Sequence, residues 1–169
     1  DQETGLAEAQ EAVDRALALS PNLGMAWASQ GLILSQQTGK TDEAEAALAK
    51  AIELSPSYAM AHMWYAGLQE DPAAQFKHYE RAYKLDPRSP VAAYNVANQY
   101  VMRGREAEAM DVFGAIIEAD PNYARAYHLA ASVSINRGRY ADAVRQLETA
   151  YELEAGTHTA YQLAYLNNQ

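Results

Sequence analysis

The sequence has no cysteine, which excludes disulfides, thiolate metal sites and cysteine nucleophiles together. The same absence says little of compartment, because a cysteine-free chain folds under oxidising or reducing conditions. Basic side chains are scarce: 13 Lys and Arg stand against 22 Asp and Glu, a formal charge of −9. A chain this acidic repels a phosphate backbone, so nucleic acid is not an expected partner. No stretch approaches the run of about 18 apolar residues that marks a membrane span, and membrane insertion is not expected. No signal peptide is visible, but the chain opens at Asp1, so a leader is compatible with what is seen. Cytoplasmic is the default compartment, with the periplasm open as an alternative.

Prolines are also few, six in 169 residues, yet they are regularly placed. Pro21, Pro56, Pro87 and Pro121 each close an amphipathic run, and Ala155 stands where a fifth would fall; the intervals are 35, 31, 34 and 34 residues. A period of this size points to stacked helix pairs. Twelve residues before the ruler points stand Ala9, Ala44, Gln75, Ala109 and Ala143; eight before stand Val13, Leu48, Tyr79, Phe113 and Leu147. Small residues on one helical face let a neighbour approach, and large ones fill the remaining space. A second helix precedes each of these, joined by turns in which Gly39, Gly104 and Gly138 suit the left-handed backbone that ends a helix.

This pattern resembles the tetratricopeptide repeat family. Trp27, Gly31, Ala44, Leu48 and Pro56 follow its order of aromatic, glycine, alanine, large residue and proline; Tyr100, Ala109, Phe113 and Pro121 repeat it, as do Tyr127, Tyr140, Ala143 and Leu147. The resemblance implies an all-α, right-handed superhelical solenoid of antiparallel helix pairs, about ten helices in a single array over 1–169. Complete units are expected at 24–58, 59–89, 90–123 and 124–157. A lone second helix would occupy 1–23 and a lone first helix 158–169.

The unit at 59–89 is three residues short. The sequence there, AMAHMWYAGLQEDPAAQ, crowds Met60, His62, Met63 and Trp64 together. Met60 and His62 lie about 200° apart on a helix, so they cannot converge on a metal. His62 instead takes the place of Trp27 and Tyr127. Asp71 is suited to cap a helix and Pro72 to begin it, so the first helix should stop near Gln69, about 4.5 Å shorter than its counterparts. A notch edged by Met63, Trp64 and Gly67 is expected.

The resemblance also implies a concave wall, built from the first helices, that binds peptide segments. The stripe beside the packing face places Met25, Leu32, Met60 and Met63 on an apolar stretch of that wall. Further along it sets Tyr94, Asn98, Arg125 and His128, with Ser132, Thr159 and Gln162. Methionines suit changing apolar partners, and the Arg–Asn–His set suits a carboxylate or a peptide backbone. With Arg125 its one fixed positive charge, the wall resembles less the sub-family that clamps chaperone C-termini.

Catalysis has little support. QTGKT (37–41) lacks the glycine five residues before Gly39 that a phosphate loop needs, and no nucleophile is announced near the four histidines. The chain reads as non-enzymatic, without cofactor or metal. Leu6 and Val13 at one end, and Leu163 and Leu166 at the other, lie on apolar faces that a longer array, another domain or a homodimer would cover. Two readings therefore stand. One is an interaction module that holds a partner peptide or helix; the other is a structural, self-assembling segment of a larger protein.

Overall fold

The computed structural model describes residues 2–166, and the side chains of all of these except Gln2, Glu3, Thr4, Thr157, His158, Tyr161 and Tyr165. Among the described residues there are ten α-helices and no strand. They are α1 (Gln2–Leu19), α2 (Gly24–Ser35), α3 (Thr41–Leu54), α4 (Ala59–Leu68), α5 (Pro72–Leu85), α6 (Pro90–Met102), α7 (Glu106–Ala119), α8 (Ala124–Asn136), α9 (Tyr140–Leu153) and α10 (Thr157–Leu166). The chain falls into two compact units, one ending at Pro87 and the next beginning at Arg88. No helix among the described residues is long and apolar enough to cross a membrane.

Within the first unit α2 packs on α1, α3 and α4, and α4 on α3 and α5; within the second, α6 to α10 pack in succession. The small residues of the repeat make the close contacts: Ala44, Ala51, Ala82, Ala109, Ala143 and Ala150 are wholly buried. Leu48, Phe113 and Leu147 fill the space between them. Each such side chain contributes about 1.5–3 kcal/mol on burial. Gly31 is the tightest crossing. A Cβ there would stand 2.5 Å from Leu48 Cγ and 3.0 Å from the Ala44 carbonyl oxygen, so α2 and α3 meet where only hydrogen fits.

Helix ends follow the sequence. After α6 and α8 the chain closes with left-handed Gly104 and Gly138 (φ 68° for both). The next residue then donates back across the turn, Arg105 N to Tyr100 O at 2.8 Å and Arg139 N to Ser134 O at 2.8 Å. Gly39 (φ 77°) differs. It lies inside a five-residue connection between α2 and α3, beyond the residues that finish α2. Asp71 caps α5 as its sequence suggests, accepting from Ala73 N at 3.1 Å and Ala74 N at 3.0 Å, with Pro72 opening the helix. Ser89 and Pro90 repeat that arrangement at α6.

Three helices begin differently. The fourth residue of α2, α4 and α8 is a ring that reaches back to the carbonyl of the proline six positions earlier. Trp27 Nε1 donates to Pro21 O at 2.8 Å, and Tyr127 Oη to Pro121 O at 3.1 Å. His62 Nε2 lies 3.1 Å from Pro56 O. His62 therefore holds the place the repeat gives to Trp and Tyr, and performs the same tie.

Candidate functional site

In the second unit, six residues expected on the concave wall line one cavity of about 360 Å³: Tyr94 of α6, Arg125, His128 and Ser132 of α8, and Thr159 and Gln162 of α10. Arg125, His128 and Ser132 share a face because they are three and four residues apart. Leu129 adds an apolar floor, and Glu154 and Gly156 enter from the α9–α10 connection.

The Arg125 guanidinium carbon sits 4.3 Å from the centroid of the Tyr94 ring. Stacking of this kind contributes about 0.5–1 kcal/mol at an exposed site and fixes the plane of the guanidinium. Among the described residues Arg125 has no ion pair, so its donors face the cavity uncommitted. Thr159 Oγ1 lies 2.9 Å from His128 Nε2, and Thr159 is buried to 1% exposure, so this contact orients the imidazole from behind. Ser132 Oγ donates to the His128 carbonyl at 3.0 Å, leaving its oxygen able to accept. The site thus offers a planar cation on an aromatic face, an oriented histidine, one amide and one carboxylate.

The remaining sequence candidates are scattered. Asn98 is half-buried one helical turn beyond Tyr94 and does not line the cavity. Met25 is exposed, and Leu32 and Met60 are half-buried in the first unit. Met63 is a correction: only 9% of it is exposed, and it offers no wall. The ten-residue α4 is covered by α2, α3 and α5, so Ala61, His62, Met63 and Ala66 are all buried along it. The apolar ends are partly covered within the chain itself. Val13 is buried, and Leu6 half-buried, on α1, which packs on α2. Leu166 is buried with Ala131, Ala143 and Leu147, and Leu163 packs on the same cluster.

Glu154 and Gly156 escaped the sequence reading because they lie in a connection, where helical periodicity carries no signal. His78, which meets His62 across α4 and α5, escaped for another reason: a contact sixteen residues apart is invisible to a one-helix pattern.

Tetratricopeptide repeat family models match residues 68–133 and, separately, 26–58 and 124–157. No match is found among curated proteins. Many solved structures share the fold. A crystal structure of MamA has a TM-score of 0.74 at 21% identity, over 90% of this chain and 91% of that one. YrrB, described as a TPR protein with an unusual peptide-binding site, has a TM-score of 0.75 at 20% identity, over 96% and 86%. PilW, described as a widely conserved type IV pilus biogenesis factor, reaches 0.77 at 18% identity, over 99% and 80%.

Proposed function

Because the chain belongs to the tetratricopeptide repeat family, it is a protein-interaction module, and we propose that a partner peptide docks in the cavity of the second unit. The observation that carries this reading is Arg125, stacked on Tyr94 and without an ion pair among the described residues, in a chain with nine excess negative charges. A carboxylate of the peptide takes the guanidinium fork, whose charge-assisted hydrogen bonds are about twice as strong as neutral ones. Gln162 and the Ser132 oxygen lie in the same cavity, where a peptide backbone can use them, and Leu129 takes an apolar side chain. Glu154 beside them disfavours a second acid, so the fitting segment carries one acidic group among neutral residues. YrrB, alike in fold, is described as having a peptide-binding site, in line with this reading.

The role is binding and not catalysis. Thr159 is the hydroxyl set against His128, and at 1% exposure it cannot reach an outside substrate. The test is peptide display against the wild-type chain and against Arg125→Glu, matched for helicity. Wild type should enrich sequences with a single acid at a fixed position, and the variant should lose them by at least about tenfold. Enrichment of the same sequences by both chains would remove the cavity from the binding role.

A further inference from the structure

A second cavity, of about 430 Å³, lies in the first unit between α3, α4 and α5, and it is lined by Ile52, His62, Lys77, His78, Arg81 and the Glu80–Lys84 pair. His62 and His78 meet there, Nδ1 to Nδ1 at 3.0 Å, with ring centroids 5.2 Å apart. Only one tautomer pair satisfies this contact. His62 has Nε2 against the Pro56 carbonyl, an acceptor, so that nitrogen carries the proton and Nδ1 holds a lone pair. His78 must then donate through Nδ1–H, which leaves Nε2 of His78 as the basic nitrogen of the pair. That atom has no partner among the described residues and is not buried. The pair accepts one proton there without losing a contact. A second proton would set two N–H groups against each other.

The surrounding charge is positive. Lys77 and Arg81 are one helical turn apart on α5, and neither has an ion pair or hydrogen bond among the described residues. Of the 13 basic side chains, Arg15, Lys40, Lys50, Lys84, Arg105, Arg137 and Arg145 hold carboxylates, whereas these two stand together beside the histidine pair without one among the described residues. Glu80 is already bound to Lys84 at 2.7 Å. Around the pair, α4 adds Tyr65, whose ring packs 4.7 Å from that of His78 and whose hydroxyl donates to Glu45 of α3.

We propose that this cavity is a binding site for a tetrahedral oxyanion, a phosphate or a phosphate monoester, held by Lys77, Arg81 and His78. Two uncommitted cations match a dianion, and His78 Nε2 supplies a proton-dependent third contact. Burial, the partner imidazole and Lys77 hold the His78 pKa below its ordinary value, while burial foremost, together with Arg81, lowers His62. A bound anion reverses the charge repulsion, so binding draws a proton onto His78 and tightens as pH falls.

The test is long-range proton–nitrogen NMR of the histidine-labelled full chain, titrated with sulfate, inorganic phosphate and phosphoserine amide at constant ionic strength in chloride. Sulfate does not titrate in this range and isolates the histidine proton. The expected result is a δ-protonated His78 and an ε-protonated His62 in the free chain. Each anion should then raise the His78 midpoint, and binding should tighten at least about threefold between pH 7.5 and 5.5. In Lys77→Gln/Arg81→Gln, both changed at exposed positions, the anion effect should vanish while the tautomers stay. A stronger response to phosphoserine amide than to phosphate assigns the site to a side-chain-borne phosphate, and equal responses to the free ion. An equal shift in the double variant, no shift with any of the three, or reversed tautomers would overturn the proposal.

Discussion

The helix pairs α2–α3 and α4–α5 are built on one plan and end with different chemistry. In α2–α3 the ring at the fourth position is Trp27, the crossing residue is Gly31, and the place nine before the closing proline is Ala47. In α4–α5 the same places hold His62, Ala66 and His78. An indole N–H can only donate, so Trp27 ties the helix start to Pro21, packs on the core and has no second polar atom. An imidazole makes the equivalent tie to Pro56 and still has a second nitrogen. His62 is smaller than Trp27, and His78 brings a ring to a place where Ala47 has a methyl group. An apolar seam thereby becomes a polar pair beside a cavity, without a change of backbone plan. A repeat acquires chemistry most readily where a packing residue is already hydrogen-bonded.

The largest effect should come from the tight pair. Leu48 is wholly buried in a cluster with Ala28, Ala51 and Ala61, so Leu48→Ala should cost about 2–5 kcal/mol in urea unfolding. Its counterpart Tyr79 is half-buried, and its hydroxyl has no hydrogen bond among the described residues. Tyr79→Phe should therefore stay within about 0.5 kcal/mol. Gly31→Ala comes next, at about 1–3 kcal/mol, because the added methyl collides with Leu48. Gly67→Ala, on α4, meets only the Tyr79 hydroxyl at 3.8 Å and should gain up to about 1 kcal/mol from helix propensity. A cost at Gly67 equal to that at Gly31 would show that α4, one residue past Ala66, is covered as tightly as α2 is at its crossing. Asp71→Ala should cost about 0.5–2 kcal/mol, since two backbone donors of α5 lose their acceptor.

Those features were largely legible in the sequence. Proline spacing, the small-residue positions and the turn glycines report local geometry, and local geometry is what a repeat encodes. The helix ends at Asp71-Pro72 and at Gly104 and Gly138 were readable for the same reason. So were six of the nine residues that line the second-unit cavity, because Arg125, His128 and Ser132 share one helix and Tyr94, Thr159 and Gln162 hold the same stripe on theirs. What failed was the side on which a stripe is covered. Met63, Val13 and Leu166 lie on faces that periodicity marks as apolar, and only the neighbouring helices decide that those faces are inward. Tyr140 shows the reverse: it holds a repeat position that reads as packing, yet it is 49% exposed. The histidine pair was half visible. His62 was placed correctly as a substitute for Trp27, but its partner lies on the next helix.

The smallest effect discriminates best between the two pairs, because it needs no ligand. Both imidazoles of α4–α5 have lowered pKa values in the folded chain, and each returns to about 6.5 on unfolding. Between those limits the unfolded chain binds more protons than the folded one, so stability rises with pH there. The stabilisation is complete above about pH 6.5 and declines as pH falls through the lowered folded values. In α2–α3 the same places hold Trp27 and Ala47, which do not titrate. The double variant His62→Trp/His78→Ala copies that pair into α4–α5. Urea midpoints at about pH 8 and about pH 5 should separate in the wild type and approach each other in the variant. The other ionisable side chains are common to both chains and cancel in the difference. An undiminished gap in the variant would place the acid sensitivity elsewhere and make the pair a passive filling between α4 and α5.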